Sequence, residues 1–422
     1  MLVFLLLAAA VVKEGVKEGG KEGVKDSSKD ALTPLRSGCS VDERVLAQLP
    51  PGAPLEIRYS ISGESQPCYK VSAEVNGKAI EGFLPASAIG GLEDFDASRR
   101  QAIWLDTASV VNTIQSTPLP SMKGAALEGL GQIAQKAADL ISTSHPQKAL
   151  DLLQPELKIH RDPTLLALAG VAAWRVDDSR QALEYWRASL DLAPSPEVEK
   201  LYRQVERESK GDHSNDRLYG MRVLLRYDGS LIPAETARQM TAVLDQEFTR
   251  ISQDLGCSAD ERVIAIVQST EAYRKSTDSA EWNGGQFDGK IRVPIFDPKI
   301  VDPTLLRSLA HETTHACLSM LGRWPAWFQE GVAQKLSGDT LSPGLKKKLA
   351  DLALQGKLPR LSNLKQDWSR LDAQHASEAY ALSLEAVDLF WNEAGRDGVQ
   401  NLLRNPESLP QVTAELDRKL GL

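Results

Sequence analysis

The hydrophobic period of this chain changes several times along its length. Leu2 to Val12 is an unbroken apolar run. It is too short to span a bilayer comfortably and is closer to the apolar core of a signal peptide. Ala8-Ala9-Ala10 offers small residues for cleavage, although no Lys or Arg precedes the run. Residues 13–37 then lose apolar content. Lys13-Glu14-Gly15-Val16, Lys17-Glu18-Gly19-Gly20 and Lys21-Glu22-Gly23-Val24 repeat with a glycine in every unit. Nothing there offsets the entropy of ordering, so a low-complexity linker is expected. From 38 to 95 the period becomes two. Leu55-Glu56-Ile57-Arg58-Tyr59 alternates, as does Tyr69-Lys70-Val71-Ser72-Ala73-Glu74-Val75, and Asn76-Gly77 is a hairpin turn signal.

Residues 96–210 carry the helical period, most sharply over 163–196. Gly170 allows two antiparallel helices to approach, Ala182 fills the tight crossing, Trp186 fills the groove and Pro194 ends the second helix. A partial unit lies at 147–153, and 197–209 reads as the next helix. This spacing is that of one tetratricopeptide-like repeat with degenerate neighbours. A structural spacer is expected, with a protein-binding groove as the alternative.

After a polar linker at 208–217, the period alternates again. Strands are predicted at 221–227, 262–267 and 290–295, an amphipathic helix at 234–255 and a short helix at 270–277. Pro294 cannot donate to a ladder, which places Lys290 to Ile295 at a sheet edge. Asp302-Pro303 signals a helix start and Gly322 its end. Pro325 opens another helix, and the rest of the chain reads as helical, making 218–422 an α+β domain.

Composition narrows this modestly. The 422 residues suggest two to four domains. A net charge of −8 argues against nucleic acid as a partner. Of the four cysteines, Cys39 and Cys68 flank the small β module and form a plausible disulfide if the protein is exported. Cys317 is expected to be a packed residue, pointing away from the histidine face of its helix.

That histidine face carries the chemistry. His311-Glu312-Thr313-Thr314-His315 reads HExxH, and fifteen positions beyond it stands Glu330 in Trp327-Phe328-Gln329-Glu330-Gly331. Residues four apart share a helix face, so His311 and His315 can hold one zinc ion with Glu312 beside them as general base. Glu330 can supply a third protein ligand and leave one position open.

Two resemblances extend the reading. Pro50-Pro51-Gly52, the Asn76-Gly77 hairpin and Gly82-Phe83-Leu84-Pro85 follow an order similar to the small bacterial SH3-like barrel, an all-β module. Leu309 to Ala316 and Pro325 to Ala333, with Glu378-Ala379-Tyr380-Ala381-Leu382-Ser383 further on, resemble the gluzincin zinc metallopeptidases. The nearest likeness is to bacterial peptidase-MA-like domains joined to tetratricopeptide repeats. The likeness implies a zincin-like α+β catalytic domain with one Zn2+ per chain on His311, His315 and Glu330. Glu312 would then act as the base toward water attacking a peptide bond. It also implies an edge strand along the cleft that pairs with extended substrate, placing Ile291, Arg292 and Val293 in substrate binding. Tyr380 is the candidate oxyanion donor, with His375 behind it and plain helix packing as the alternative for Tyr380. The family commonly has an acid four residues after its third ligand; here that position is Gln334, and Asp339 is the nearest substitute.

The expected protein is therefore an exported, periplasmic or extracellular, multidomain zinc peptidase acting on peptides or proteins, without a stable membrane span in the mature chain. The alternative is an interaction scaffold that uses the helical repeat and β-barrel, with a structural metal domain.

Overall fold

A computed structural model describes residues 10–12, 32–39, 41–61, 68–75, 77–90, 125–211, 214, 216–277, 285–364 and 373–422. The chain is a mixed α/β protein with two sheets and a helical segment between them in sequence.

The N-terminal sheet contains β1 (Ala10–Val12), β2 (Thr33–Arg36), β3 (Val45–Leu49), β4 (Pro54–Ile61), β5 (Cys68–Val75), β6 (Lys78–Pro85) and β7 (Ile89–Gly90). The β5–β6 hairpin pairs from Cys68↔Pro85 to Val75↔Lys78, as its turn sequence predicts, with Gly77 in the left-handed region at φ 74°. Three expectations need correction. The end of the apolar run is not wholly leader-like, because Ala10–Val12 pairs with both β4 and β7, and Val12 is 1% exposed. Thr33–Arg36, expected as linker, is a strand whose Leu35 is buried in the sheet's core. The expected closed barrel is also not formed among the described residues. The strand order β3-β2-β6-β5-β4-β1-β7 is open, and β7, two residues long, has β1 as its partner. The Cys39–Cys68 disulfide is formed, and its end of the sheet packs with Phe83 against Phe296 of the C-terminal region.

The helical segment comprises α1 (Ala125–Ser142), α2 (Pro146–Ile159), α3 (Pro163–Arg175), α4 (Ser179–Leu192) and α5 (Pro196–Gly211), around one apolar core. Asp162 caps α3 by accepting from the backbone N–H groups of Thr164 and Leu165, both at 2.9 Å. Gly170 is where α3 and α4 touch. A Cβ there would lie 2.3 Å from the indole nitrogen of Trp186, which donates to the Ala167 carbonyl at 3.1 Å.

The second sheet has the order β11-β12-β10-β9-β8, from β8 (Asp216–Tyr219), β9 (Val223–Tyr227), β10 (Val263–Ser269), β11 (Gln286–Phe287) and β12 (Ile291–Ile295). Strands β9, β10 and β12 run parallel, whereas β8 and β11 are antiparallel edges. One face presents Val223, Leu225, Val263, Ala265, Val267, Ile291 and Val293 to the main core. There they meet α6 (Ala234–Leu255) and, after the short α7 (Thr270–Thr277), α8 (Pro303–Leu321). The other face alternates Leu224, Ile264 and Ile266 with Arg226 and Arg292, and the helical segment docks on it. Further helices complete the core: α9 (Ala326–Ser337), α10 (Pro343–Leu354), α11 (Ala373–Arg404, kinked at Gly395) and α12 (Leu409–Leu420). Among the described residues, no helix is long and apolar enough to cross a membrane.

Candidate metal centre

Helix α8 begins where Asp302-Pro303 predicts. The Asp302 carboxylate accepts from the Leu305 N–H at 2.7 Å, and proline occupies the first helical position. Two turns later the helix presents His311 and His315 on one side, while the disulfide Cys257–Cys317 ties its buried side to the segment following α6. The sequence marked Cys317 as merely packed; its pairing partner is sixty residues away and has no local signature.

Helix α9 crosses α8 and brings Glu330 to the histidines. On the other side of α9, Gly331 lets α11 pack close, because a Cβ there would lie 2.4 Å from the Ser383 carbonyl oxygen. The Lys335–Asp388 ion pair at 2.6 Å also holds α9 to α11.

The three expected ligands converge. His311 Nε2 lies 3.2 Å from His315 Nε2 and 3.3 Å from Glu330 Oε2, and His315 Nε2 lies 3.6 Å from Glu330 Oε1. Three atoms bound tetrahedrally to one zinc at about 2.0–2.1 Å would be separated by about 3.3–3.4 Å. The observed spacings fit that figure, and Glu330 Oε2 is a buried acceptor with no hydrogen bond. The cluster can hold a metal ion. Burial by itself raises the pKa of Glu330, but His315 and His311 outweigh it and hold the carboxyl below the usual range.

Glu312 points into the same enclosure and is 5% exposed. Burial pushes its pKa up to about 8; His311 opposes the rise, and Glu330 and Asp288 add to it. Its Oε2 is buried without a hydrogen-bond partner. Backbone passes close to it, since a Cβ on Gly285 would lie 2.8 Å from Glu312 Oε1. A side chain at position 285 would require the Glu312 side chain to shift.

The expected substrate strand requires correction. Strand β12 is not the outermost strand, because Gly289, at φ 107°, turns the chain so that Gln286 pairs with Arg292 and Phe287 with Ile291. Ile291 and Val293 are fully buried in the core. Arg292 is not presented to solvent; it pairs with Asp288 and Glu208, each at 3.0 Å. Lys290 is likewise enclosed, 3.2 Å from Asp177. The edge nearest Glu312 is β11.

Tyr380 lies half-buried on α11, and Gln334 Nε2 donates to its carbonyl at 3.0 Å and to that of Glu330 at 3.2 Å. Gln334 therefore ties α9 to α11. His375 is exposed. A further carboxylate electrostatically coupled to His311, besides Glu312 and Glu330, is Asp339. Its pKa is raised by burial, while His311 and Arg307 pull it down. A carboxylate facing a ligand imidazole orients it and raises its basicity. Asp339→Asn should weaken zinc binding by about 10- to 100-fold without loss of fold, measured by competition with a chromogenic chelator. Unchanged affinity would remove Asp339 from the site.

No family model matches the chain, and no curated protein matches it either.

Proposed function

We propose that this chain is a zinc-dependent peptidase of gluzincin type. The observation that carries the reading is the convergence of His311, His315 and Glu330 at metal-ligand spacing beside the buried, unpartnered oxygen of Glu312. A purely structural metal site has no use for such a base. Zinc held there supplies Lewis acidity toward water and carbonyl, and a positive charge that favours ionised Glu312.

The chain's own residues do the rest. Glu312 accepts a proton from the attacking water and delivers it to the leaving amine nitrogen. Strand β11 borders Glu312, and Gly285 is its point of closest approach. The Tyr380 phenol is the proposed donor to the oxyanion. The second sheet with α8 and α9 is read as the zincin-like unit, the α3–α4 pair as tetratricopeptide-like, and the N-terminal sheet as an opened SH3-like module. The apolar N-terminal run and two disulfides support an exported protein. A scaffold that binds partners through the helical repeat is less well supported, because Asp177 and Glu208 of that segment face the chain's own sheet.

Metal content decides the matter. The purified protein should hold about one zinc per chain, and Glu330→Ala clearly less, by atomic spectroscopy. Wild-type protein that stays zinc-free after reconstitution at neutral pH would remove the peptidase reading.

A further inference from the structure

Strand β11 is only two residues long, yet it forms the wall beside the proposed base. Two ladder positions do not hold a strand on their own. Part of what holds it comes from the helical segment. We propose that this segment is a positioning part of the site, with Glu208 of α5 gripping Arg292, and Arg292 gripping Asp288, so that the β11–β12 turn and Gly285 stay against Glu312.

The contacts form a closed chain through a dry layer. Gln204 Nε2 donates to Glu208 Oε1 at 2.9 Å, and the Trp174 indole donates to Glu208 Oε2 at 3.4 Å. Arg292 donates through one terminal nitrogen to Glu208 Oε2 and through Nε to Asp288 Oδ2, both at 3.0 Å. Asp288 accepts from Gln286 Nε2 at 3.3 Å and from the Lys290 N–H at 3.2 Å, which ties both arms of the turn to one carboxylate. The Trp174 ring lies over the Lys290 ammonium at 5.0 Å and the Arg292 guanidinium at 5.8 Å. The Arg292, Asp288 and Glu208 side chains are 2%, 2% and 6% exposed, so water is a poor substitute for any of these bonds. A planar guanidinium can grip two carboxylates at once, whereas an ammonium on the same stem cannot reproduce both bonds.

The catalytic consequence rests on the peptidase reading, but the positioning itself does not. The test is amide hydrogen exchange on the full chain, with zinc content measured on the same samples. Arg292→Gln should speed exchange over residues 286–292 at least about 10-fold, while amides of α8 around His311–His315 change less than about twofold and zinc content holds. Glu208→Gln, a milder change made on the helical segment, should produce a smaller effect at the same amides. Arg292→Lys should restore protection in part. Unchanged exchange over 286–292 in both Gln variants would overturn the proposal, as would equal loss of protection across the whole C-terminal region. A zinc-free wild type would overturn the peptidase reading while leaving the exchange result to judge the positioning.

Discussion

Glu312→Gln should lower peptide hydrolysis by about 10²- to 10⁴-fold and leave zinc content unchanged. The amide keeps the shape of the side chain and fills the same enclosure, but it cannot take a proton from water at any working pH. The surrounding geometry makes the loss specific. Glu312 is enclosed, its Oε2 has no hydrogen-bond partner, and Gly285 closes over Oε1. Among the described residues, His311, His315 and Glu330, which share the enclosure, are committed to one another. The measurement is turnover of a quenched peptide library by wild type and variant at matched zinc occupancy. Equal turnover would sink the assignment of Glu312 as base. Loss of zinc with loss of turnover would instead make Glu312 part of the metal cage.

Asp177→Ala should cost about 3–5 kcal/mol of stability, the range expected when one partner of a buried ion pair is removed. Asp177 lies in the turn between α3 and α4 at φ 69° and receives three cations. Arg226 is at 2.6 Å, Lys290 at 3.2 Å and Arg217 at 3.3 Å. Lys290 is 1% exposed and has nowhere to find water once its partner is gone. Urea unfolding followed by tryptophan fluorescence gives the number, and Trp174 reports on the affected layer. The double change Asp177→Ala with Lys290→Met should recover part of the loss, because it removes the stranded charge as well. A loss below about 1 kcal/mol would show that the layer is better hydrated than its burial implies.

The same group sets an acid limit. Burial raises the Asp177 pKa, but Lys290, Arg226 and Arg217 together outweigh it and hold the value below the ordinary one. A depressed folded-state pKa contributes stability that is present above the unfolded value of about 3.9 and lost as pH falls through the folded value. Lys290 acts at the other end. Burial pushes its pKa down to about 8, so between about 8 and 10.4 the unfolded chain binds a proton that the folded chain does not, and its contribution to stability rises with pH.

Much of the C-terminal region was legible because its signals are local. The helix predicted at 234–255 spans Ala234–Leu255, and the one predicted at 270–277 spans Thr270–Thr277. Asp302-Pro303 and Gly322 bracket α8 as expected. Gly170 was read as a point of close helix approach and Trp186 as a groove-filling ring, and the structure brings the two into contact. The errors share one cause. Ala10–Val12 and Thr33–Arg36 were set aside as leader and linker, because a short apolar or mixed segment becomes a strand only when distant strands receive it. Pro294 had placed Lys290 to Ile295 at a sheet edge, where Lys290 and Arg292 would be accessible. Their partners Asp177 and Glu208 lie over eighty residues upstream, in a helical segment whose docking cannot be read from periodicity.

By itself, then, the sequence picked out the candidate metal-ligand constellation. Two histidines four apart on a helix share a face by backbone geometry alone, and the glutamate between them shares their end of it. Only the tertiary structure decided that β11 rather than β12 borders the base, that Cys257 pairs with Cys317, and that the helical segment seals a layer of buried charge against the sheet. Those features depend on contacts between residues far apart in the chain. There, burial and charge neutralisation select the arrangement, and local pattern does not.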